Sequence, residues 1–543
     1  MILFLGMTLF AGRALANNIA VSSVSITSQN AANKTANVQF NITWANSWMN
    51  SVNNDAAWVF IKYSTDSGVT WNQATLKATG GTPTSSGNGI INPSNYSVGS
   101  GTALQIIVPT EATSGKTGAF LQRSANGSGT VTTTGVQLVW DWNANGLSAS
   151  STARVQVFAI EMVYVPVGSF YLGDGTSTSV TGQFCSAASH TTPLQITAQG
   201  ALTLGGGGAG SLGDNNDSGM NTADDFTDAS SKSLPSTFPE GYNAYYMMKY
   251  DVSQGQYRDF LNTLTRAQQA TRVATNVAAG QTTITNVFVM NNTSTVSNRN
   301  GIRVISPIPS AGPVTFGCDL GNTGTLNGAS DGEWIAANFL SWMDGAAYGA
   351  WAGLRPFTEL EYEKAARGPS SADTGTNGEY AWGSTTITGA TSISNSGQNS
   401  EVAGQTGNGL CVYNNAGSVQ GPMRVGMAAA SSTTRAQAGA SYWGILDLSG
   451  NVWKRPVTVG NTTGRAFLGS NGTGVLASDG NATNADWPGY SAGEVSGATG
   501  CGFRGGVWYH GSTNARVSDR NYAASVDATR DSGYGARFAR TSP

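Results

Sequence analysis

An alternation of apolar and polar residues runs through the first 160 residues and constrains the fold more than any other feature. The run VQFNITW places Val38, Phe40, Ile42 and Trp44 on one face of an extended chain, with polar residues between them. Similar runs follow at AAWVFIKY, LQIIVPT, GVQLVWDW and ARVQVFAIEMVYV, separated by turn sequences such as TDSG and NGSG. Many short strands without a helical pattern predict an all-β antiparallel sandwich over residues 17–160.

The composition and the first residues indicate an exported protein. Charged residues make up only 11% of the chain, and the formal net charge of -3 provides no basic surface for nucleic acid. The apolar run ILFLGMTLFAG precedes the small-x-small site at Ala14-Leu15-Ala16, which predicts a signal peptide over residues 1–16. That run is shorter than the roughly 18 residues that a membrane span needs. We therefore expect a protein without a membrane span, secreted or held at the cell surface of a bacterium.

The cysteines predict disulfide bonds. An even number of widely spaced cysteines in an exported chain favours two disulfides, and the sequence leaves all three pairings open. A C-x-x-C motif, which would favour zinc or thiol redox chemistry, does not occur. The candidates are Cys185, Cys318, Cys411 and Cys501.

After residue 164 the pattern changes to short amphipathic helices in Gly-, Ser- and Asn-rich loops. Ser253 is the expected N-cap of a helix in SQGQYRDFLNTL, a second helix ends at Gly353, and Thr358 opens a third with a capping box. This texture predicts a loop-rich α+β domain. Two low-complexity stretches, at about 175–238 and 266–325, suggest insertions that lie on the surface rather than in the core.

One of these stretches contains a candidate calcium loop, DNNDSGMNTADD. Asp214, Asn216, Ser218 and Asp225 fall at positions 1, 3, 5 and 12 of an EF-hand-like loop, with Gly219 at position 6. Calcium is thus one interpretation of this segment. The other is a polar surface loop, because helical patterns do not flank it.

A series of motifs in the second part of the chain resembles the formylglycine-generating enzyme (sulfatase-modifying factor) family. In order they are MVYVPVGSFYLGDG, YMMKYDVSQGQYRDFLN, AAYGAWAGLRPFTELEYEKAARG, YAWGS, GILDLSGNVWK, FRGGVW and YGARFAR. The resemblance covers about Glu161 to Arg540 and defines a second domain over residues 161–543. It implies a C-type-lectin-like fold with little regular secondary structure.

The resemblance also implies that the catalytic metal chemistry is lost. Family enzymes hold copper with two cysteines that follow the Gly-Gly pair, and these positions are His510 and Ala515 here. An imidazole and a methyl group do not replace two thiolates as ligands for Cu(I), so copper is not expected. Related iron-dependent enzymes use a histidine-rich site, whereas this chain has only His190 and His510.

The calcium site of the family is altered in the same way. The matching positions are Asp447, the carbonyls of Gly450 and Val452, and Lys454 where the family has glutamate. We expect the lysine ammonium to lie in the carbonyl cage in place of the cation, which would leave a degenerate, metal-free site.

The segment after Gly506 holds the candidate binding residues. Its arginines, from Arg504 to Arg540, favour a scaffold role, with an anion site as the alternative. The residues between them are of the Tyr/Ser/Asn/Asp type found in adaptable binding surfaces: Tyr509, His510, Ser512, Thr513, Asn514, Asp519, Asn521 and Tyr522. The stretch 509–534 lacks Lys, Glu, Gln, Met and Trp, and so resembles the variable proteins of diversity-generating retroelements.

These features lead to one functional hypothesis and two alternatives. The first is an exported, non-catalytic protein for recognition or adhesion, whose partner is a surface protein or a glycan. The second is a self-assembling subunit of an extracellular filament or coat, whose partners are copies of itself. The third is a metal-dependent oxidase of the formylglycine-generating type.

Overall fold

Strands dominate the structure, and the helices are few and short. The computed structural model describes residues 18–175, 180–215, 219–370, 378–430 and 433–543, so the predicted signal peptide lies outside it. The strands of the first part are β1 (Ala20–Asn30), β2 (Thr35–Met49), β3 (Asp55–Ser64), β4 (Asn72–Gln73), β5 (Thr82–Pro83), β6 (Gly89–Ile91), β7 (Ser100–Gly101), β8 (Leu104–Pro109), β9 (Ala119–Arg123), β10 (Gly127–Asp141) and β11 (Arg154–Val165).

The second part combines short strands with six helices. The helices are α1 (Gln254–Leu261), α2 (Arg266–Arg272), α3 (Trp342–Trp351), α4 (Glu359–Arg367), α5 (Arg435–Ala438) and α6 (Thr462–Arg465). The strands are β12 (Phe170–Leu172), β13 (Phe184–Ser186), β14 (Leu194–Ile196), β15 (Leu202–Leu204), β16 (Leu212–Asp214), β17 (Lys232–Leu234), β18 (Tyr245–Met248), β19 (Ile302–Val304), β20 (Phe316–Cys318), β21 (Thr388–Gly389), β22 (Ile393–Ser394), β23 (Val402–Ala403), β24 (Leu410–Cys411), β25 (Tyr490–Ser491), β26 (Glu494–Val495) and β27 (Ala539–Thr541). In the described ranges the longest helix has ten residues, and none is long and apolar enough to cross a bilayer.

Two antiparallel sheets face each other in the first part of the chain. One has the order β1-β2-β10-β7, and the other runs β27-β18-β11-β3-β9-β8-β6-β5, with β4 added to β3. The alternating residues of β2 that were expected on one face are all buried, with Phe40 and Trp44 at 0% exposure. They share a hydrophobic core with Val59 and Ile61 of β3, so the predicted alternation is confirmed.

Strand β3 is buried at every position because the large sheet is covered on both faces. Trp58 and Phe60 point away from the β2 side into a second core, which they share with Tyr257 of α1 and Trp351 of α3. This double burial explains why AAWVFIKY is a nearly continuous apolar run, as is usual for strands buried on both faces.

Strand β11 crosses the boundary at residue 160 that the sequence suggests between two domains. It pairs with β3 on one side and with β18 on the other, so one sheet joins both parts of the chain. Lys249, next to the end of β18, bonds Asp55 at 3.2 Å and Glu161 at 3.0 Å, and all three side chains are buried. The two parts therefore share both hydrogen bonds and ion pairs.

The three helices expected from capping signals are present. Ser253, Ser341 and Thr358 are the N-caps of α1, α3 and α4, and each forms a complete capping box. Gly353 follows α3 with a φ of 72°, a left-handed conformation that glycine adopts without strain. Helix α2, capped by Thr265, was missed because it lies in a stretch interpreted as an insertion.

The expectation that the two low-complexity stretches lie on the surface rather than in the core is wrong; that they are insertions stays a prediction. The stretch 266–325 contributes Val289, Met290 and Phe316 to the core between the large sheet and α1. The stretch 175–238 builds the sheet β13-β16-β15-β17 and buries Phe184 and Phe226. In both stretches short apolar segments such as VFVM (287–290) stand between long runs of polar and small residues, so that low complexity does not indicate exposure.

The prediction of two disulfides is not supported. All four cysteines are free thiols, and each is buried. Cys318 belongs to the core beside α1, whereas Cys411 packs near Trp382 and Cys501 near Val457; Cys185 lies on β13. An even count of cysteines does not bring them together, and these four occupy different packing environments.

Candidate functional site

Buried arginines support the last forty residues of the chain from below. Arg504 donates to Glu359 at 2.8 Å and to Glu363 at 2.7 Å. These two glutamates lie one turn apart on α4, which places both carboxylates on the same side of the helix. Arg520 also donates to Glu359, at 2.8 Å, and to Asp224 at 2.6 Å. Both arginines are 0% exposed, so the network is sealed from solvent.

The electrostatics of this network favour the ionised pairs. Burial raises the pKa of Glu359, but the guanidinium groups of Arg520 and Arg504 outweigh burial and lower that pKa below its usual value. Arg537 donates to Asp251 at 3.0 Å, and Arg530 pairs with a carboxylate of α3. The scaffold role expected for these arginines is confirmed.

Above this support lies a group of partly exposed side chains that we call the C-terminal face. It is defined by Tyr509, His510, Ser512, Thr513, Asn514, Asn521, Tyr522 and Tyr534. The ring of His510 lies 5.5 Å from that of Trp453, 4.9 Å from Tyr509 and 5.6 Å from Tyr522, measured between centroids. Burial lowers the pKa of His510, against smaller opposing effects of Asn514 and of a nearby carboxylate. The imidazole is therefore neutral at neutral pH.

One of the predicted binding residues is not part of this surface. Asp519 is 3% exposed, and its Oδ1 accepts hydrogen bonds from Asn514 Nδ2 at 3.2 Å and from the Asn521 backbone N–H at 3.4 Å. Its Oδ2 has no hydrogen-bond partner, and burial raises the pKa of Asp519 to about 6. Asp519 thus positions two residues of the face from below.

Two tyrosine hydroxyls of the face are fixed by carboxylates. Tyr509 donates to Asp531 at 2.6 Å, and Tyr534 donates to Asp527 at 2.8 Å. The backbone N–H of Phe339 donates to the carbonyl of Asp531 at 2.9 Å. Phe339 has a φ of 58°, which is strained for a bulky residue and occurs where the surroundings enforce it.

The structure places three further residues beside the C-terminal face, and sequence reasoning missed them. Asn414 and Asn415, both at positive φ, donate from their backbone N–H groups to the carbonyls of His510 and Trp508 at 2.8 and 2.7 Å. The only local signal for this loop is the turn-forming sequence YNNAG. Trp453 carries no binding signal of its own in the sequence, and only the fold places its ring beside His510.

The two positions that hold copper-binding cysteines in the resembling enzymes have different surroundings here. His510 lies among aromatic rings, whereas Ala515 is 1% exposed and packs with Tyr380, Trp382 and Cys411. The carbonyl of Ala515 accepts a hydrogen bond from a buried serine hydroxyl at 2.6 Å. Within the described residues, no group of three or more His, Cys, Asp or Glu side chains is arranged to hold a metal ion.

The expected lysine contact is present at the altered calcium position. Lys454 is 0% exposed, its Nζ bonds the carbonyl of Gly450, and it lies 3.7 Å from Asp251. Burial lowers the pKa of Lys454, and the negative charges around it act in the opposite direction. Asp447 accepts from the Gly426 N–H at 2.6 Å, and burial raises the pKa of Asp447 to about 6. Val452 is buried in the core below.

The acidic ends of the EF-hand-like segment are bonded to two different arginines. Asp214 pairs with Arg520 at 3.1 Å, and Asp225 pairs with Arg465 at 2.6 Å. The two middle positions of the loop, Asn216 and Ser218, lie outside the described residues. Calcium binding in this segment stays a prediction.

His190 lies apart from the face. Its Nε2 is 3.1 Å from Asp228, and both side chains are exposed. A pair so open to solvent contributes little to stability. The interpretation of His190 as a surface histidine agrees with this position.

The second part of the chain is a loop-rich domain. It combines short capped helices with loops that are joined by buried arginine–carboxylate pairs. The family model of the sulfatase-modifying factor enzyme 1-like domain matches residues 149–542, which is more than half of the chain. The chain belongs to this family. A comparison with curated proteins finds no match to this sequence.

Proposed function

We propose that this chain is an exported, non-catalytic surface protein that recognises a ligand through the C-terminal face. The observation that carries the proposal is the combination of partly exposed Tyr, His and Asn side chains with a support that is fully buried and ion-paired. A rigid support lowers the ordering cost of binding. Tyr, Ser and Asn side chains supply contact area and adaptable hydrogen bonds.

The loss of the family's thiols supports a binding role over an oxidase. His510 and Ala515 provide no thiolate pair for Cu(I), and the chemistry needs that soft ligand. Stoichiometric copper in the purified protein, together with oxygen consumption on a cysteine-containing peptide, would instead revive the oxidase hypothesis.

We further propose that the architecture is an all-β antiparallel sandwich followed by an α+β, C-type-lectin-like domain. Two facing sheets with a shared core support the first assignment. Short helices among long loops, within the span that the family model matches, support the second. In this arrangement the face lies in the second part, and its partner is a protein or glycan outside a bacterial cell.

The test is a binding screen of the purified chain on arrays of glycans and of extracellular proteins. Tyr522→Ala and Tyr509→Ala remove aromatic contact area from the face, and both are expected to abolish the signals of the wild type. Lys77→Met, in the loop between β4 and β5, serves as control and is expected to leave the signals unchanged. Signals that persist in both tyrosine variants would contradict the proposal.

A second candidate function, self-assembly into a filament or coat, is favoured by strand β1. This strand has eleven residues and forms an edge of the four-stranded sheet. Its sequence, AVSSVSITSQN, contains none of the charged or proline residues that usually protect a sheet edge. Electron microscopy of the purified chain decides between the two: regular open polymers would favour assembly over a simple receptor.

A further inference from the structure

Arg455 differs from the other buried arginines near the C-terminal face because no carboxylate pairs with it. It is 4% exposed, yet its guanidinium forms no ion pair within the part of the chain that the structure describes. Arg504 and Arg530, in contrast, each bond a buried carboxylate. Removing a cation from water without a counter-charge costs several kcal/mol.

The hydrogen bonds of Arg455 are also incomplete. Its Nη2 donates to the backbone carbonyl of Asp527 and to the Sγ of Cys501, while Nε and Nη1 have no acceptor among the described residues. Each buried donor left without an acceptor costs about 1–3 kcal/mol. Arg266 shows the alternative solution: it too lacks a carboxylate, but its guanidinium donates to five backbone carbonyls, those of Val277, Ala278, Gln281, Pro309 and Gly312.

The surroundings of Arg455 are aromatic and lead to the surface. Its Cζ lies 4.3 Å from the ring centroid of Phe503 and 5.6 Å from that of Tyr534. Ring faces attract the cation but do not replace the hydrogen-bond acceptors that its N–H groups need. Tyr534 belongs to the C-terminal face, so the guanidinium of Arg455 lies next to a residue of that surface, while the buried ring of Trp342 lies 5.9 Å from its Cζ.

The carboxylate of Asp527, whose backbone carbonyl Arg455 contacts, is engaged by other donors. Asp527 accepts hydrogen bonds from the backbone N–H and the hydroxyl of Thr529, both at 2.7 Å, and from Tyr534 at 2.8 Å. Arg455 hydrogen-bonds the backbone carbonyl of Asp527. Burial raises the pKa of Asp527, but the hydrogen bonds of Thr529 and Tyr534 and, at longer range, the charge of Arg455 lower it. This charge contact supplies no acceptor for Nε and Nη1 of Arg455 among the described residues.

We propose that Arg455 receives an oxyanion group of the ligand, a carboxylate, sulfate or phosphate, beneath the C-terminal face between Phe503 and Tyr534. The free Nε–H and Nη1–H groups point to different sides of the planar guanidinium, so an oxyanion oxygen is expected to accept a single charge-assisted hydrogen bond from one of them. This inference rests on the proposed recognition function and specifies the chemistry of the ligand: an acidic side chain or an acidic sugar.

The experiment uses thermal unfolding of the full chain in sodium sulfate and in sodium chloride at equal ionic strength. Sulfate also stabilises folded proteins non-specifically, so the readout is the sulfate gain of the wild type minus that of Arg455→Met. We expect the wild type to gain about 2 °C more, because binding to the native state raises Tm. Arg303→Met removes an arginine that is paired with Asp319 at 2.7 Å, and it is expected to keep the wild-type gain.

Two results would overturn the inference. Equal sulfate gains in the wild type and in Arg455→Met would show that the free donors bind no oxyanion. A Tm of Arg455→Met in chloride well below that of the wild type, or failure to fold, would show that the arginine serves the fold itself. Arg455→Lys keeps the charge but loses the planar guanidinium and its N–H positions, and is expected to retain only part of the gain; the full gain would contradict the role of the free N–H groups.

The sulfate readout is independent of the array screen. An oxyanion effect at Arg455 without array signals that depend on Tyr522 would support the anion site and contradict the recognition function. Array signals that depend on Tyr522, without any sulfate effect at Arg455, would support the recognition function and contradict the anion site.

Discussion

At the scale of single residues, the chain concentrates its few charges in buried pairs. Arg520 is the clearest case, because it is 0% exposed and bonds Glu359, Asp224 and Asp214. The arginines of the C-terminal segment thus hold its backbone in place through buried ion pairs. The residues that remain partly exposed between them form the face.

Replacing Arg520 is expected to destabilise the protein strongly. Arg520→Met leaves three carboxylates without their shared cation, and breaking a buried pair in this way costs about 3–5 kcal/mol. Urea unfolding measures the loss. Lys77→Met breaks a pair in which the lysine side chain is 40% exposed, and is expected to cost less than about 1 kcal/mol. A loss of similar size in both variants would contradict the scaffold role.

Asp519 is expected to make stability depend on pH. Burial raises the pKa of Asp519 from 3.8 to about 6, so the native state holds this proton more tightly than the unfolded chain does. The free energy of unfolding therefore falls as pH rises from about 4 to about 6, by up to about 3 kcal/mol. Asp519→Asn removes this term. The unfolding free energy of the variant minus that of the wild type is expected to be more favourable to the variant at pH 7 than at pH 4. The same difference at both pH values would contradict this.

At the scale of elements, local signals that act over a few residues were readable from the sequence. The N-cap signal at Ser253 and the capping box at Thr358 predicted α1 and α4, and alternation predicted β2. Helix α2 and the four-stranded sheet β13-β16-β15-β17 were not predicted, because their apolar residues are too widely spaced to form a periodic pattern. The same limit applies to the face: the Gly-Gly motif located His510, but long-range packing alone brings Trp453 and Asn414 to it.

The burial of the 266–325 stretch gives a test at this scale. Phe316 on β20 is 1% exposed, so Phe316→Ala is expected to cost about 3–5 kcal/mol of unfolding free energy through the cavity it leaves. Ile305, in the same stretch, is 43% exposed, and Ile305→Ala is expected to cost much less. A surface insertion would instead tolerate both substitutions equally.

At the scale of the whole molecule, the nine-stranded sheet makes two sequence regions into one structure. Sequence reasoning placed a boundary at the change of texture near residue 160, but it did not foresee that β11 would pair on both sides of it. Strand pairing between distant segments leaves no local mark on composition. The buried contact of Lys249 with Asp55 and Glu161 lies at this junction.

The shared sheet is expected to make unfolding cooperative across the chain. Amide hydrogen exchange in mild denaturant should show β10 of the first part and α3 of the second opening with the same free energy. Lys249→Met leaves two buried carboxylates unpaired and is expected to lower the opening free energy of both elements together. Separate opening of the two elements, or an effect of the variant on one alone, would show that the parts unfold independently.

The proposed function depends on the C-terminal face as the binding surface of a chain without the family's copper thiols. The most direct measurement is a calorimetric titration of the strongest array ligand into the wild type, Tyr522→Ala and Lys77→Met. We expect the dissociation constant to rise at least about tenfold in Tyr522→Ala, as for an aromatic residue central to an interface, and to be unchanged in Lys77→Met. A dissociation constant in Tyr522→Ala equal to that of the wild type, with the variant fully folded, would contradict recognition through the C-terminal face.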